Sequence, residues 1–316
     1  MRDLSAVEPV PVGRTARRLE WQFLPPHIRA LIADRCGAPV VSAVSQGGGF
    51  TPGFASVLTC DDGSKHFVKA ASVKAQRMFA ESYREEFRKL SDLPDGVPAP
   101  KLLWVHESDW VVLGIEYVDA RAPHRPWTAE DLDATLDALE TVAEQLTPAP
   151  ASMELEPFAD EFGEMVAHWD HVRKVAPDLP HLEDAAALAA RFDEATTGDT
   201  LVHTDVRDDN VLLDRAGRAW ICDWNWPVRG AAWVDTVFML IGPRGDGLDV
   251  DAVLAQRPLT RDVPAEHVDI VLALLAGYFL KQRDEPVPPA SPYLRQHQGW
   301  QGDVVWAWLC ERRGWS

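Results

Sequence analysis

The most constraining feature of the sequence is a short segment with ionisable and amide side chains between two apolar runs. His203, Asp205 and Asn210 lie within the segment LVHTDVRDDNVLL, which begins at Leu201, and a second apolar run, AWICDW, contains Asp223. Short apolar runs interrupted by a polar loop predict buried strands on both sides of that loop. A single Asp on a loop is commonplace, whereas active residues at fixed offsets between strands indicate a functional site.

The chemistry of these residues fits phosphoryl transfer. An attacking hydroxyl needs a carboxylate that orients it and accepts its proton, and the magnesium on a nucleotide needs oxygen ligands beside that base. In this interpretation Asp205 is the base, and Asn210 and Asp223 are the magnesium ligands. The alternative interpretation is an acidic loop that caps helices.

The pattern H-x-D-x-x-x-x-N, followed thirteen residues later by Asp-Trp, resembles the aminoglycoside phosphotransferase family. The resemblance extends over residues 41 to 308. It implies an α+β, bilobal protein-kinase-like fold, with a small, mostly β N-lobe and a larger, mostly α C-lobe. It also implies ATP or GTP as the phosphoryl donor and Mg²⁺ as the metal.

The same resemblance assigns roles to three further residues near the loop. It implies that His203 braces the loop and that Asp235, in the segment GAAWVD, is a buried residue that hydrogen-bonds it. Both roles are structural. Arg207, two residues after the base, either steadies the γ-phosphate or pairs with Asp208 or Asp209.

Nucleotide-binding candidates lie upstream of the loop. Gly47, Gly48 and Gly49 fall between two predicted strands, where glycine lets backbone amides approach phosphates closely. Taken alone, the run favours an ordinary turn, because its spacing departs by one residue from the kinase pattern G-x-G-x-x-G. Lys69 is placed by the family resemblance at the α- and β-phosphates, and a Lys inside an apolar strand needs a charged partner. Glu85 on the following helix is the preferred partner, with Glu81 and Glu86 as alternatives. The resemblance also predicts a hinge where main-chain groups hold the adenine, at Glu116, Tyr117 and Val118.

The order of elements predicts three parts of the chain. Residues 1–40 form an extension with a helix at residues 26–36. Residues 41–118 form the N-lobe with its nucleotide-binding sheet, and residues 119–316 form the catalytic and acceptor-binding C-lobe. Further helices are predicted at residues 75–90, 130–146, 161–172, 181–194, 234–241, 266–280 and 303–312.

The net charge of −18 belongs entirely to the predicted C-lobe. Residues 1–118 carry 14 basic and 14 acidic side chains, whereas residues 119–316 carry 17 basic and 35 acidic ones. Such an acidic balance argues against nucleic acid as the main partner and suits a cationic acceptor. Candidate acceptor contacts are three acids and two indole rings, Asp160, Glu161, Glu164, Trp224 and Trp226. A solvated acidic surface is the competing interpretation of the acids.

The chain carries no pattern typical of secretion, membrane insertion or disulfide bonding. The N-terminal region has no apolar core segment, and the apolar stretch at residues 268–280 is too short to span a bilayer. The four cysteines are far apart in sequence. We therefore expect a cytoplasmic protein without a membrane partner, while its oligomeric state stays open.

These patterns predict a small-molecule kinase that phosphorylates a hydroxyl group. The acceptor is an aminoglycoside-like antibiotic or amino sugar, or alternatively choline or a related amine metabolite. A pseudokinase that binds nucleotide without turnover is the second hypothesis, and the intact set of Lys69, Asp205, Asn210 and Asp223 argues against it. A protein kinase is the third, but WNWP follows Asp223 in place of D-F-G and no A-P-E segment follows.

Overall fold

The computed structural model describes residues 15–315. An antiparallel sheet dominates the first part of this range and helices dominate the rest, which confirms the predicted α+β fold. The first fourteen residues of the predicted N-terminal extension lie outside the described range. Within that range, no helix has both the length and the apolar character needed to cross a membrane.

The N-lobe sheet has five antiparallel strands in the order β1-β2-β3-β5-β4. Its strands are β1 (Val40–Ser45), β2 (Phe54–Cys60), β3 (Lys65–Ser72), β4 (Leu102–Glu107) and β5 (Trp110–Ile115). The turn between β2 and β3 contains Gly63, whose φ of 85° is open to glycine at no steric cost. In this register Lys69 lies opposite Ala55 of β2 and Leu113 of β5. The lysine therefore stands on the central strand of the sheet.

One helix covers each face of the N-lobe sheet. Helix α1 (Pro26–Cys36) has the predicted bounds, because Pro26 fits its first position and Gly37, with φ 83°, ends it. Ile28 and Ile32 of α1 are buried in a core with residues of β2, β3 and β5. Helix α2 (Arg77–Asp92) contacts β3 and β5 and contributes to a second core that continues into the C-lobe.

The C-lobe contains nine helices within the described range and two small sheets. The helices are α3 (Ala129–Gln145), α4 (Phe158–Phe162), α5 (His168–Val175), α6 (Leu182–Ala189), α7 (Phe192–Thr196), α8 (Val234–Gly245), α9 (Val250–Gln256), α10 (Ala265–Gln282) and α11 (Leu294–Arg313). Thr128 caps α3 by accepting a hydrogen bond from the Asp131 amide.

The two small sheets of the C-lobe flank the motif segments around Asp205 and Asp223. Strand β7 (Thr200–Val202) pairs with β10 (Val228–Gly230), and β8 (Val211–Asp214) lies between β6 (Ala120–Arg121) and β9 (Ala219–Ile221). All of these pairings are antiparallel. The loop between β7 and β8 contacts the chain at the end of β9, where the Cys222 amide donates to the Asn210 carbonyl oxygen.

Three predicted helices differ from the observed ones. The segment predicted as one helix at 161–172 is divided into α4, a 3-10 turn and α5, and that predicted at 181–194 is divided into α6 and α7. Helix α11 begins nine residues earlier than predicted, at Leu294. Its first half contains Gly299 and Gly302, which weaken a helical pattern. A Cβ added to Gly302 would lie 3.2 Å from the Cβ of Phe279 on α10, so glycine permits close packing of the two helices there.

Candidate active site

The loop after β7 holds Asp205 through two buried polar neighbours, Asn210 and His203. The Asn210 side-chain amide donates to the main-chain oxygen of Asp205 at 2.8 Å and to its carboxylate at 3.1 Å. The Asp205 amide donates to Nδ1 of His203, and Nε2 of His203 lies 2.9 Å from the Cys222 carbonyl oxygen. These contacts require a neutral His203 protonated at Nε2, and burial lowers its pKa accordingly.

Asp235 anchors the start of this loop. Its two carboxylate oxygens accept hydrogen bonds from the main-chain amides of His203 at 2.7 Å and Thr204 at 2.8 Å. Thr204 has a φ of 66°, a conformation that non-glycine residues adopt only when their surroundings hold it. Asp235 supplies that restraint from the first turn of α8.

The environment of Asp205 makes its carboxylate more basic than an exposed one. Burial raises its pKa to about 6, while the positive charge of Arg207 opposes the rise and the negative charges of Asp209 and Asp223 add to it. A carboxylate of this pKa is ionised at neutral pH and accepts a proton more readily than a free Asp. This property suits a general base.

Lys69 is paired with Glu86, and the prediction of Glu85 is wrong. The ammonium Nζ of Lys69 lies 2.6 and 2.8 Å from the two carboxylate oxygens of Glu86, which is 1% exposed. Glu85 instead forms a surface ion pair with Arg88. The reason is helical geometry, because adjacent residues point about 100° apart and only Glu86 faces the sheet.

Lys69 also contacts Asp223, which joins the two lobes. Burial alone would lower the pKa of Lys69, but the charges of Asp223 and Glu86 raise it far above its ordinary value. For Asp223, burial would raise the pKa, and Lys69 first among several cations holds it below the usual range instead. Both side chains are therefore charged, and Asp223 keeps the ionised form that a metal requires.

Asp223 has a φ of 67°, which turns the chain sharply after β9. The turn places Trp224 beneath the catalytic loop, where it is completely buried. Its indole Nε1 donates to the Ile221 carbonyl, and its ring packs edge-on against His203. The prediction that Trp224 forms a wall of the acceptor pocket is therefore wrong, whereas Trp226 is 54% exposed.

A cavity of about 500 Å³ lies between the lobes. It is lined by Lys69, Glu86, Asn210 and Asp223 at one end and by the predicted hinge, Glu116, Tyr117 and Val118, at the other. The Glu116 amide donates to the Lys101 carbonyl oxygen, which fixes the hinge to the chain entering β4. This cavity is called the interlobe cleft below.

The glycine-rich loop between β1 and β2 covers the interlobe cleft. Gly48 and Gly49 line it, and Gly47 lies beside them with its carbonyl oxygen bonded to the Thr15 amide. Gly53, at the end of the loop, is required by packing, because a Cβ there would lie 2.3 Å from the Tyr83 hydroxyl. The loop thus approaches α2 more closely than any larger residue would allow.

A second cavity, of about 310 Å³, lies on the other side of the loop that contains Asp205. It is called the acceptor cavity for the role that we propose for it. Asp205 and Arg207 line it together with Trp226 and Glu161. Its remaining walls are mainly apolar and come from α4, α8, α10 and α11, including Phe158, Phe162, Phe238, Leu275, Tyr278 and Phe279. Asp160 and Glu164 are exposed and do not line it, and their contact with an acceptor stays a prediction.

Arg207 lines the acceptor cavity and pairs with Asp209, which lines the interlobe cleft. Its guanidinium pairs with Asp205 and forms two hydrogen bonds with Asp209, at 2.9 and 3.0 Å. It also lies over the ring of Phe50, at the tip of the glycine-rich loop, with 5.8 Å to the ring centroid. Of the two aspartates left open by the sequence, Asp209 is its partner, while Asp208 pairs with Arg125.

Several side chains at the site carry no sequence signal. Arg18 lines the interlobe cleft from the N-terminal extension, and Tyr278, His297 and Gln301 line the acceptor cavity from α10 and α11. These residues lie far from the motif segments in sequence and follow no fixed spacing. Only the folded chain brings them together.

Comparisons with known proteins agree with this architecture. The model of the phosphotransferase enzyme family, APH, matches residues 32–268. Among solved structures, an aminoglycoside phosphotransferase APH(4)-Ia bound to ADP and hygromycin B has a TM-score of 0.60 and 14% identity, over 89% of this chain and 98% of that one. An aminoglycoside phosphotransferase from Alicyclobacillus acidocaldarius has a TM-score of 0.58 and 15% identity, over 99% and 98%.

Choline kinase LicA from Streptococcus pneumoniae is similar as well, with a TM-score of 0.57 and 14% identity over 89% of this chain and 99% of that one. No curated protein sequence matches the chain. The fold and the site together define a small-molecule phosphotransferase of the kinase-like fold, with a hydroxyl group as acceptor. The chain belongs to the phosphotransferase enzyme family, which confirms the family predicted from its motifs.

Proposed function

We propose that the protein transfers the γ-phosphate of ATP or GTP to a hydroxyl of a compact small molecule. The observation that carries this proposal is the position of Asp205 between two cavities. Its carboxylate lines the acceptor cavity, while the Asn210 amide that bonds to it belongs to the wall of the interlobe cleft. A hydroxyl in one cavity and a phosphate in the other therefore meet at Asp205.

The interlobe cleft supplies what a nucleotide needs. Its hinge end is lined by Val57, Ile115 and Leu212, which offer apolar surface to a base. Its other end holds Lys69, whose ammonium is positioned by Glu86 and Asp223. A cation at this position stabilises the α- and β-phosphates in the arrangement that kinases use.

The donor set at the same end fits magnesium. Asn210 and Asp223 offer an amide oxygen and an ionised carboxylate on adjacent segments, and Mg²⁺ prefers one or two such ligands together with phosphate oxygens. Bound there, the ion would neutralise charge on the phosphates of the donor nucleotide. The chain itself orients the acceptor hydroxyl through Asp205 and receives its proton at that carboxylate.

The acceptor cavity supports an acceptor with an apolar body and a single positive group. Apart from the base Asp205, Glu161 is the one acidic side chain that lines it within the described residues. The rings of Phe158, Phe162 and Trp226 give it an aromatic surface, which binds cations such as quaternary ammonium groups as well as apolar faces. This lining favours a choline-like amine or a mono-amino sugar over an acceptor with many amino groups.

The test is a panel of acceptors with product identification. Purified protein, Mg²⁺ and ATP or GTP are incubated with choline-like amino alcohols, mono-amino sugars, polyamine aminoglycosides and uncharged sugars, and phosphorylated products are measured by mass spectrometry. We expect product from a compact monocationic acceptor and little from uncharged ones. No product from any acceptor, with nucleotide bound, would favour the pseudokinase alternative, and a polycationic aminoglycoside as the best substrate would contradict the proposed acceptor class.

A further inference from the structure

A segment outside the family match lies across the glycine-rich loop. We call residues 15–20 the N-terminal strap. The main-chain amide of Thr15 donates to the Gly47 carbonyl oxygen at 3.1 Å, and that of Arg17 donates to the Ala290 carbonyl oxygen at 2.8 Å. Gly47 belongs to the N-lobe, whereas Ala290 precedes α11 in the C-lobe. The strap therefore holds the glycine-rich loop at a fixed place over the cleft.

The Thr15 hydroxyl also determines how the loop presents its amides. Its Oγ1 lies 2.8 to 2.9 Å from the carbonyl oxygens of Gly47, Gly48 and Gly49. A hydroxyl donates only one hydrogen, but the three distances show that all three carbonyls point at the strap. In a trans peptide the next N–H points the opposite way, so the amides of Gly48, Gly49 and Phe50 point away from it.

Arg18 extends from the strap into the interlobe cleft. It lines the cleft, and a Cβ placed on Gly49 would be 3.1 Å from its Nη2. The guanidinium therefore lies beside Gly49 of the glycine-rich loop, in the same cleft that Lys69 and Asp223 line.

Arg18 differs from the other cations near this end in its pairing. Lys69 is engaged by Glu86 and Asp223, and Arg207 by Asp205 and Asp209. The Nε of Arg18, in contrast, is buried and has no hydrogen-bond partner among residues 15–315. A buried donor of a charged group without a partner is costly unless a ligand supplies the acceptor.

We propose that Arg18 is a second phosphate-binding residue of the interlobe cleft, acting beside Lys69 on the phosphates of the donor nucleotide. This inference rests on the proposed nucleotide-dependent function. A guanidinium binds phosphate through parallel N–H donors, and the unpartnered Nε of Arg18 is one such donor. The opposite possibility, a strap that blocks the cleft, requires Arg18 to compete with nucleotide and predicts an effect of opposite sign.

The test compares Arg18→Ala and Arg18→Lys with Arg17→Ala, which changes an exposed arginine of the same strap. Dissociation constants for ATP, ADP and adenosine are measured by calorimetry on the full chain. We expect Arg18→Ala to weaken ATP and ADP by about 10- to 100-fold, the range for hydrogen bonds to charged groups. Adenosine binding should be unchanged, which also shows that the variant is folded, and Arg18→Lys should recover part of the loss.

Three results would overturn the inference. ATP affinity of Arg18→Ala equal to that of the wild type would show that the guanidinium does not contact phosphate, and tighter ATP binding would show that the strap blocks the cleft. An equal loss of ATP affinity in Arg17→Ala would show that removing any positive charge from the strap weakens binding, without a contact between Arg18 and phosphate. A wild-type protein that binds adenosine, ADP and ATP with no measurable affinity would instead overturn the proposed nucleotide-dependent function itself.

Discussion

Replacing Glu86 by Gln tests the pairing at the centre of the interlobe cleft. Glu86 and Lys69 are both buried, and burial raises the pKa of Glu86 to about 7 against the charge of Lys69. At pH 8, above that value, the substitution removes a charge while it keeps the shape of the side chain. Breaking a buried ion pair costs about 3 to 5 kcal/mol because one charge is left uncompensated. Since Asp223 remains as a partner for Lys69, we expect the lower end, a loss of about 3 kcal/mol in the free energy of unfolding.

The matched control is Glu85→Gln, the neighbouring carboxylate on the same helix. Its partner Arg88 lies on the surface, and exposed pairs of this spacing contribute about 0.3 to 0.5 kcal/mol. Urea unfolding of both variants is followed by tryptophan fluorescence, which is available because Trp169, Trp224 and Trp308 are fully buried. Equal losses in the two variants, or a larger loss for Glu85→Gln, would refute the assignment of Glu86.

The remaining predictions concern the base, the metal, the glycine-rich loop and the acceptor. With the pKa of Asp205 raised to about 6, a deprotonated base is lost as pH falls, so kcat/KM should decrease about tenfold per pH unit below pH 6 in a pH-rate profile. Asp223→Ala should abolish Mg²⁺-dependent nucleotide binding in calorimetry, and unchanged affinity would assign the ion to another carboxylate. Gly53→Ala should lower unfolding free energy by about 1 to 3 kcal/mol, because its methyl group overlaps the Tyr83 hydroxyl. Glu161→Gln should raise KM for a cationic acceptor and reduce the salt dependence of that KM, while KM for nucleotide stays constant.

The catalytic loop could be predicted because its geometry is local. Asp205 and Asn210 lie in one loop, and β8 and β9 form a short antiparallel pair that returns the chain to Asp223. This strand-loop-strand arrangement places Asp205, Asn210 and Asp223 close together through contacts that are local in sequence. The place of Lys69 on β3 follows from the same argument on one side, since β2 and β3 form a hairpin, whereas its neighbour Leu113 on β5 is distant in sequence.

The partner of Lys69 is identified by which face of α2 is buried. Tyr83 and Leu90 are buried, and Glu86 lies three residues after the first and four before the second, on the same helical stripe. An acid on an apolar stripe needs a buried cation, so this spacing contains the signal that favours Glu86 over Glu85. The direction of Trp224, in contrast, depends on the positive φ of Asp223, which no residue type at that position reveals.

The acceptor cavity and the N-terminal strap could not be predicted from sequence. The cavity combines Phe158, Trp226, Tyr278 and His297, which come from four separate segments and carry no common spacing. Their approach is set by how α10 and α11 pack against the catalytic loop. The excess of acidic residues in the C-lobe predicted an acidic acceptor site, but most such residues lie on the surface, where solvation suffices to stabilise them.

The most direct test of the account is phosphoryl transfer by Asp205→Asn. The substitution keeps the size of the side chain and its hydrogen bond to Asn210 but removes the proton acceptor between the two cavities. Nucleotide affinity, measured by calorimetry, should stay within about twofold, because Asp205 does not line the interlobe cleft. We expect the rate of acceptor phosphorylation in a single turnover to fall by about 10²- to 10⁴-fold. A near-normal rate with normal nucleotide binding would contradict the role of Asp205 as the base.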